Sequence, residues 1–207
     1  DRTLAEIILD SPLFLAFGDK LILRSGDTKN LIAGARVLEI NSPKRHKRTE
    51  VRLNFLANLA LAENASQRIA LTLLHNATTA RQLMWTEQLT SSQLDNALVE
   101  RDAVRYQDWC FNTNYIQEKT QQILTALNTY HEQHNDQLGV SKARLYRMAT
   151  LNQPENLIHH FIDEMLDDGR LQQTRGWIHL PEHKIQFNTE EKSRWTDVLN
   201  EFEKANG

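Results

Sequence analysis

A single cysteine is the whole thiol complement of this 207-residue chain, so an internal disulfide framework is excluded. Cys110 stands between Trp109 and Phe111, a setting that predicts a half-buried strand residue in a reducing compartment, with the cytoplasm as the expected location. Glycine and proline are scarce, at seven and four residues, and collagen-like or low-complexity readings fail. No apolar run approaches the roughly eighteen residues that a membrane span needs, and no secretory signal is visible. A Gly-rich loop ending in Gly-Lys-Ser/Thr is missing too, so these residues are not expected to hydrolyse a nucleotide by themselves.

What is present is repetition. Glu50 and Glu118 open similar apolar helical patterns, and Trp109 and Trp177 sit in similar short strands. Both separations are 68 residues (118−50 and 177−109), the size of a small domain. Phe55, Leu56 and Leu59 match Ile123, Leu124 and Leu127, while Leu94, Ala97 and Leu98 match Ile162, Met165 and Leu166. A third copy starts at Asn188-Thr189-Glu190-Glu191, with Trp195, Leu199 and Phe202 in the apolar positions. The chain opens at Asp1 inside a strand-like run and stops at Gly207 within this copy, which leads us to expect a piece of a longer protein. With 40% apolar and 25% charged residues, the length suffices for two small cores and a remnant.

Along the chain, residues 1–45 read as β-structure: alternation over Leu4–Asp10, a strand at Leu21–Arg24 and another at Ala35–Ile40. Three strands without a helix do not make a stable domain, and they read as the closing strands of a barrel. Helical periodicity over His46–Ala62, Ile69–Leu74 and Ala80–Gln88 follows. Thr90-Ser91-Ser92-Gln93 has capping-box spacing for a helix to Glu100. A hairpin pairs Ala103–Tyr106 with Trp109–Phe111. The second copy repeats the order with helices at Tyr115–His134, Ser141–Ala149 and Pro154–Asp168, then a hairpin of Arg170–Thr174 and Trp177–Leu180 closed by its Trp. The predicted fold is mainly α with small hairpins, as tandem winged helices at 46–112 and 113–185 and an opening third helix at 186–207.

Winged helices that read nucleic acid do so with the helix before the hairpin, which should then be basic. Here Ser91–Glu100 has no basic residue, and Pro154–Asp168 carries Glu155, Asp163, Glu164, Asp167 and Asp168. The net charge of −3 hides a basic front, with nine basic and six acidic groups in residues 1–48. Lys44, Arg45, Lys47 and Arg48 there are candidate phosphate contacts or a solvated linker. Arg144 and Arg147, three apart and able to share a helix face, are the other candidate RNA contacts, peripheral phosphate contacts or a solvated surface; Lys142, Arg170 and Arg175 are further weak basic options. His131 and His134, and the pair His159-His160, lack metal-site spacing and read as exposed helix residues. No catalytic, cofactor-binding or metal residue is assigned.

Gly18-Asp19-Lys20-Leu21-Ile22-Leu23-Arg24-Ser25-Gly26 and Leu31–Leu38 resemble the last strands of the third domain of translational GTPases of the elongation factor Tu type. Joined to winged-helix repeats containing Tyr130-His131-Glu132-Gln133-His134 and Gly176-Trp177-Ile178-His179-Leu180-Pro181, they are similar to the selenocysteine-specific elongation factors. That resemblance implies a parent that binds GTP and magnesium in a domain outside this chain and carries selenocysteinyl-tRNA to the ribosome. It also implies recognition of an mRNA hairpin beside a UGA codon, chiefly by a last module that is absent here. The chain would be a monomeric spacer without membrane contact. Its rivals are an independent tandem winged-helix DNA-binding regulator, and a protein-interaction scaffold docking through Asp163–Asp168.

Overall fold

Short polar side chains set most helix starts. Thr49, Asn64, Thr79, Thr90 and Ser141 each accept a hydrogen bond from a first-turn backbone N–H, satisfying one of the donors a helix start leaves without a partner. Thr90 and Gln93 complete both halves of the capping box. The computed structural model describes residues 3–27, 30–74, 76–150, 152–186 and 189–205. Contacts divide the chain into two units, Asp1–Tyr115 and Ile116–Gly207.

In the first unit, β1 (Lys20–Arg24) and β2 (Leu31–Arg36) pair antiparallel from Lys20↔Arg36 to Arg24↔Leu31. The strand expected at Ala35–Ile40 therefore begins earlier and ends sooner: beyond Arg36, Val37 still bonds Gly18 and Asp19, and there the partner strand gives way to the turn at Phe17-Gly18. The alternating run Leu4–Asp10 forms no strand; Ile8 is 85% exposed. A strand needs a neighbour for its backbone groups, and neither β1 nor β2 takes that place.

Helices α1 (Glu50–Leu61), α2 (Ala65–Leu73), α3 (Ala80–Glu87) and α4 (Ser91–Val99) follow. The first begins at Glu50 and not His46, which holds a left-handed φ of 58° ahead of the Thr49 cap. Strands β3 (Thr78–Thr79), β4 (Ala103–Tyr106) and β5 (Trp109–Asn112) make a sheet in the order β3-β5-β4. Ile69, Leu73, Leu83, Leu94, Leu98 and Cys110 share one core. Cys110 is fully buried, not half-buried, and desolvation pushes its thiol up to about 11.

Residues 14–17 lie against α3. Phe17 N–H donates to Thr86 O at 2.8 Å, Trp85 Nε1–H donates to Leu15 O at 2.9 Å, and Phe14 meets the Trp85 ring edge-on at 5.5 Å. The Arg68 guanidinium covers Phe17 at 4.0 Å while its nitrogen lies 2.8 Å from Glu87, both side chains being largely buried. Arg52 pairs with Glu39. The leading strands and the first winged helix thus share one unit.

The second unit holds most of α5 (Thr113–Gln133), then α6 (Lys142–Ala149), α7 (Glu155–Asp167), a hairpin of β6 (Gln172–Thr174) and β7 (Trp177–His179), and α8 (Thr189–Ala205). Ile123, Leu127, Leu145, Leu157, Ile158, Phe161, Ile162, Met165 and Ile178 are at most 1% exposed. Val140 bridges Ile178, standing where β3 stands in the first module. Gly139 makes this approach possible, since a Cβ there would sit 2.1 Å from Ile178 O.

Two expectations about the repeat change. Cores are closed by Cys110 and Ile178, also 68 apart (178−110), while Trp177 is 47% exposed; the strand alternation turns each Trp away from its core. Nor is the 68-residue phase constant: the caps Thr79 and Ser141 are 62 apart (141−79), and Thr90 and Pro154 are 64 apart (154−90). Helix α7 has 13 residues against nine in α4, one turn more, which restores 68 at the hairpin. Accordingly α2, with buried Ile69 and Leu73, is the counterpart of the Ile123 and Leu127 stretch of α5; α1 buries only Leu59 and is extra. In α8, Trp195, Val198 and Leu199 are exposed; Asn188 and the Phe202 side chain lie outside the described residues.

Candidate nucleic-acid interface

The surface a winged helix uses for nucleic acid consists of the helix before the hairpin, here α4 or α7, and the wing. In the first module Arg105 of the wing reaches back to α4: its Nη1 lies 3.5 Å from Asp95 Oδ1 and donates to Ser91 Oγ at 3.2 Å. In the second, Lys142 of α6 pairs with Asp163 of α7, and Arg170 pairs with Asp168 at 2.6 Å. Hydrogen bonds from Arg170 hold the Asp168 carboxyl below its usual range. His159 and His160 stand 3.7 Å from Glu155 and 3.5 Å from Glu164. In each module a basic side chain beside the reading helix is thus already held by a carboxylate of that helix or its end, which a phosphate arriving there would have to displace.

The predicted contacts separate into three groups. Lys44, Arg45 and Arg48 are exposed in the loop before α1. Lys47 is engaged, 2.5 Å from Glu6, and its hydrogen bond lowers the Glu6 pKa. Arg144 and Arg147 share the exposed side of α6, and the Arg144 guanidinium lies 4.9 Å above the Tyr130 ring. The loop group and the α6 group belong to different units.

Sequence reasoning missed the role of His131. It is buried, not an exposed helix residue, and its Nε2 accepts the Leu180 backbone N–H at 3.3 Å. That bond requires a neutral ring with its proton on Nδ1, and burial, helped by His183 and His179, lowers the pKa to about 4. His183 stacks on it at 3.6 Å and its Nε2 bonds Gln137 O at 2.8 Å. A contact 49 residues distant leaves no local sequence signal.

Residues 124–180, from within α5 to the end of the second hairpin, match the family described as "Elongation factor SelB, winged helix". Residues 1–44 match "Selenocysteine-specific elongation factor, beta-barrel domain". The chain is 96% identical over all 207 residues to a selenocysteine-specific elongation factor of Haemophilus influenzae, covering 33% of it. It is 35% identical over 195 residues, 94% of this chain and 32% of the relative, to that of Escherichia coli K12.

The chain belongs to the selenocysteine-specific elongation factors. It spans about a third of the length of the curated relatives it matches. Within this family the leading strands and the winged helices have a common explanation, and an independent DNA-binding regulator is not favoured. The docking-scaffold alternative is not favoured either; of its acidic stretch, Asp163 and Asp168 are engaged by Lys142 and Arg170, while Asp167 stays exposed. Among the described residues no helix is long and apolar enough to cross a membrane.

Proposed function

We propose that this chain is the connecting arm of a selenocysteine-specific elongation factor, linking the barrel of the tRNA-carrying body to a distal RNA-binding module. Residues 1–45 serve as the barrel end, 46–112 and 113–185 as the two arm modules, and 186–207 as the first helix of a third. The parent binds GTP with magnesium through residues outside this chain, carries selenocysteinyl-tRNA to the ribosome in the cytoplasm, and meets an mRNA hairpin at UGA. The arm itself performs no chemistry and acts as a monomer.

The observation that carries this reading is the internal pairing of both reading faces, Arg105 with Asp95 and Lys142 with Asp163. A recognition helix whose neighbouring cations already face carboxylates gains little from counterion release. The test is selenocysteine incorporation by the parent factor carrying Asp95→Asn and Asp163→Asn together with Ser92→Ala. Incorporation is expected to stay within about twofold of the parent, because removing a phosphate contact or a base contact is what weakens nucleic-acid recognition. A tenfold or greater loss, roughly 1.4 kcal/mol, would contradict it.

A further inference from the structure

The basic side chains of the two modules divide into those that a carboxylate holds and those that none does. Lys47, Arg52, Arg68, Arg105, Lys142 and Arg170 each face a carboxylate. Arg144 and Arg147 make no ion pair among the described residues, although both are exposed. They are three residues apart on the helix, which places their side chains on one face with Cβ atoms about 5–6 Å apart. Arg144 is also held: its guanidinium lies 4.9 Å over Tyr130, and that ring is fixed by its hydroxyl bond to Gln137 and by the His134 ring at 4.7 Å. A cation–π contact of this kind takes up no N–H donor, so the guanidinium keeps the fork that suits a phosphate. Lys142, at the start of the same helix, is turned to Asp163 of α7, so the free cations of α6 lie off the reading face.

We infer that the Arg144–Arg147 face of α6 binds the phosphodiester backbone of structured RNA, making the second module an RNA contact through its side and not through α7. This deepens the arm reading and rests on it: an arm that reaches across RNA can be positioned by backbone contacts that carry no sequence information. Phosphate is favoured over an acidic peptide because two guanidiniums a helical turn apart, one preset by a ring, suit the fixed spacing of a polyanion. Met148, 39% exposed on the same helix, adds no charge against it.

The test uses the 207-residue chain and a fluorescein-labelled RNA duplex of about 20 base pairs, of two unrelated sequences, titrated by anisotropy at several salt concentrations. Both duplexes are expected to bind alike and weakly. Arg144→Glu with Arg147→Glu should weaken binding roughly tenfold and reduce the salt slope by about two, one for each phosphate that is no longer neutralised. Arg175→Glu at the exposed wing turn should change it by less than about twofold, which separates a local site from a general charge effect. Arg144→Lys, which keeps charge but removes the fork, should keep most of the salt slope. An unchanged affinity in the double variant, or an equal loss in Arg175→Glu, would overturn the inference. Competition that an acidic peptide wins as well as the duplex would overturn its assignment to RNA. Selective capture of one duplex would instead count against the arm reading.

Discussion

The two winged-helix modules share an element order but are held together by different physics. The core of the first includes small residues, Ala80, Ala97, Ala103 and Cys110, and its α4 has only nine residues. Around that small core stand a complete capping box, the Arg68–Glu87 pair and the Phe14–Phe17 segment laid on α3. The second has no side-chain cap on α7, yet that helix buries Leu157, Ile158, Phe161, Ile162 and Met165. One extra helical turn adds buried apolar surface to a helix that has no side-chain cap, each such side chain contributing about 1.5–3 kcal/mol. The first module depends on polar locks and on the chain leading into it; the second depends on its own helix.

Substitutions that separate the two modules can be ranked by size. Phe161→Ala, at a site 1% exposed, should cost the second module about 3–5 kcal/mol by transfer and cavity terms, read from urea unfolding. Arg68→Met strands the Glu87 carboxylate, 6% exposed, and should destabilise the first unit by about 3 kcal/mol. Hydrogen exchange should localise that effect to α2 and α3. Gly139→Ala forces a methyl against Ile178 O and should cost about 2 kcal/mol, opening the Val140–Ile178 bridge in the exchange profile. His131 gives a smaller effect with a sign. Its folded pKa, about 4, lies below the ordinary 6.5, so the unfolded chain binds the extra proton between those values. The second module should therefore lose about 1 kcal/mol, after solvent screening, as pH falls through that window, and His131→Leu should flatten the pH dependence. Smallest is Thr90→Ala, expected to cost about 0.5–1 kcal/mol in the first module alone, where the capping box sits.

Much of the architecture was legible because its signals are local. Thr90-to-Gln93 spacing, the Gln107-Asp108 turn and the left-handed Gly169 act over four residues or fewer, so a sequence carries them whole. The constant repeat phase misled because compensating changes, a longer loop and a longer α7, bring the hairpins back into step. Leu4–Asp10 misled because alternation describes a strand's two faces but supplies no partner for its backbone. At the surface, the acidity of α7 was legible as composition, but its pairing with Lys142 across 21 residues was not. Arg105 and Asp95, and His131 and Leu180, meet only once the modules have folded.

Whether the arm reads sequence is decided by titrating the 207-residue chain against the mRNA hairpin and a scrambled hairpin of the same composition. Weak, salt-sensitive binding that treats the two alike is expected if the proposed Arg144 and Arg147 contacts go to backbone phosphates. Nanomolar capture of the authentic hairpin with rejection of the scrambled one, abolished by substitutions in α4 or α7, would mean that a reading helix does read and would contradict the connecting-arm role.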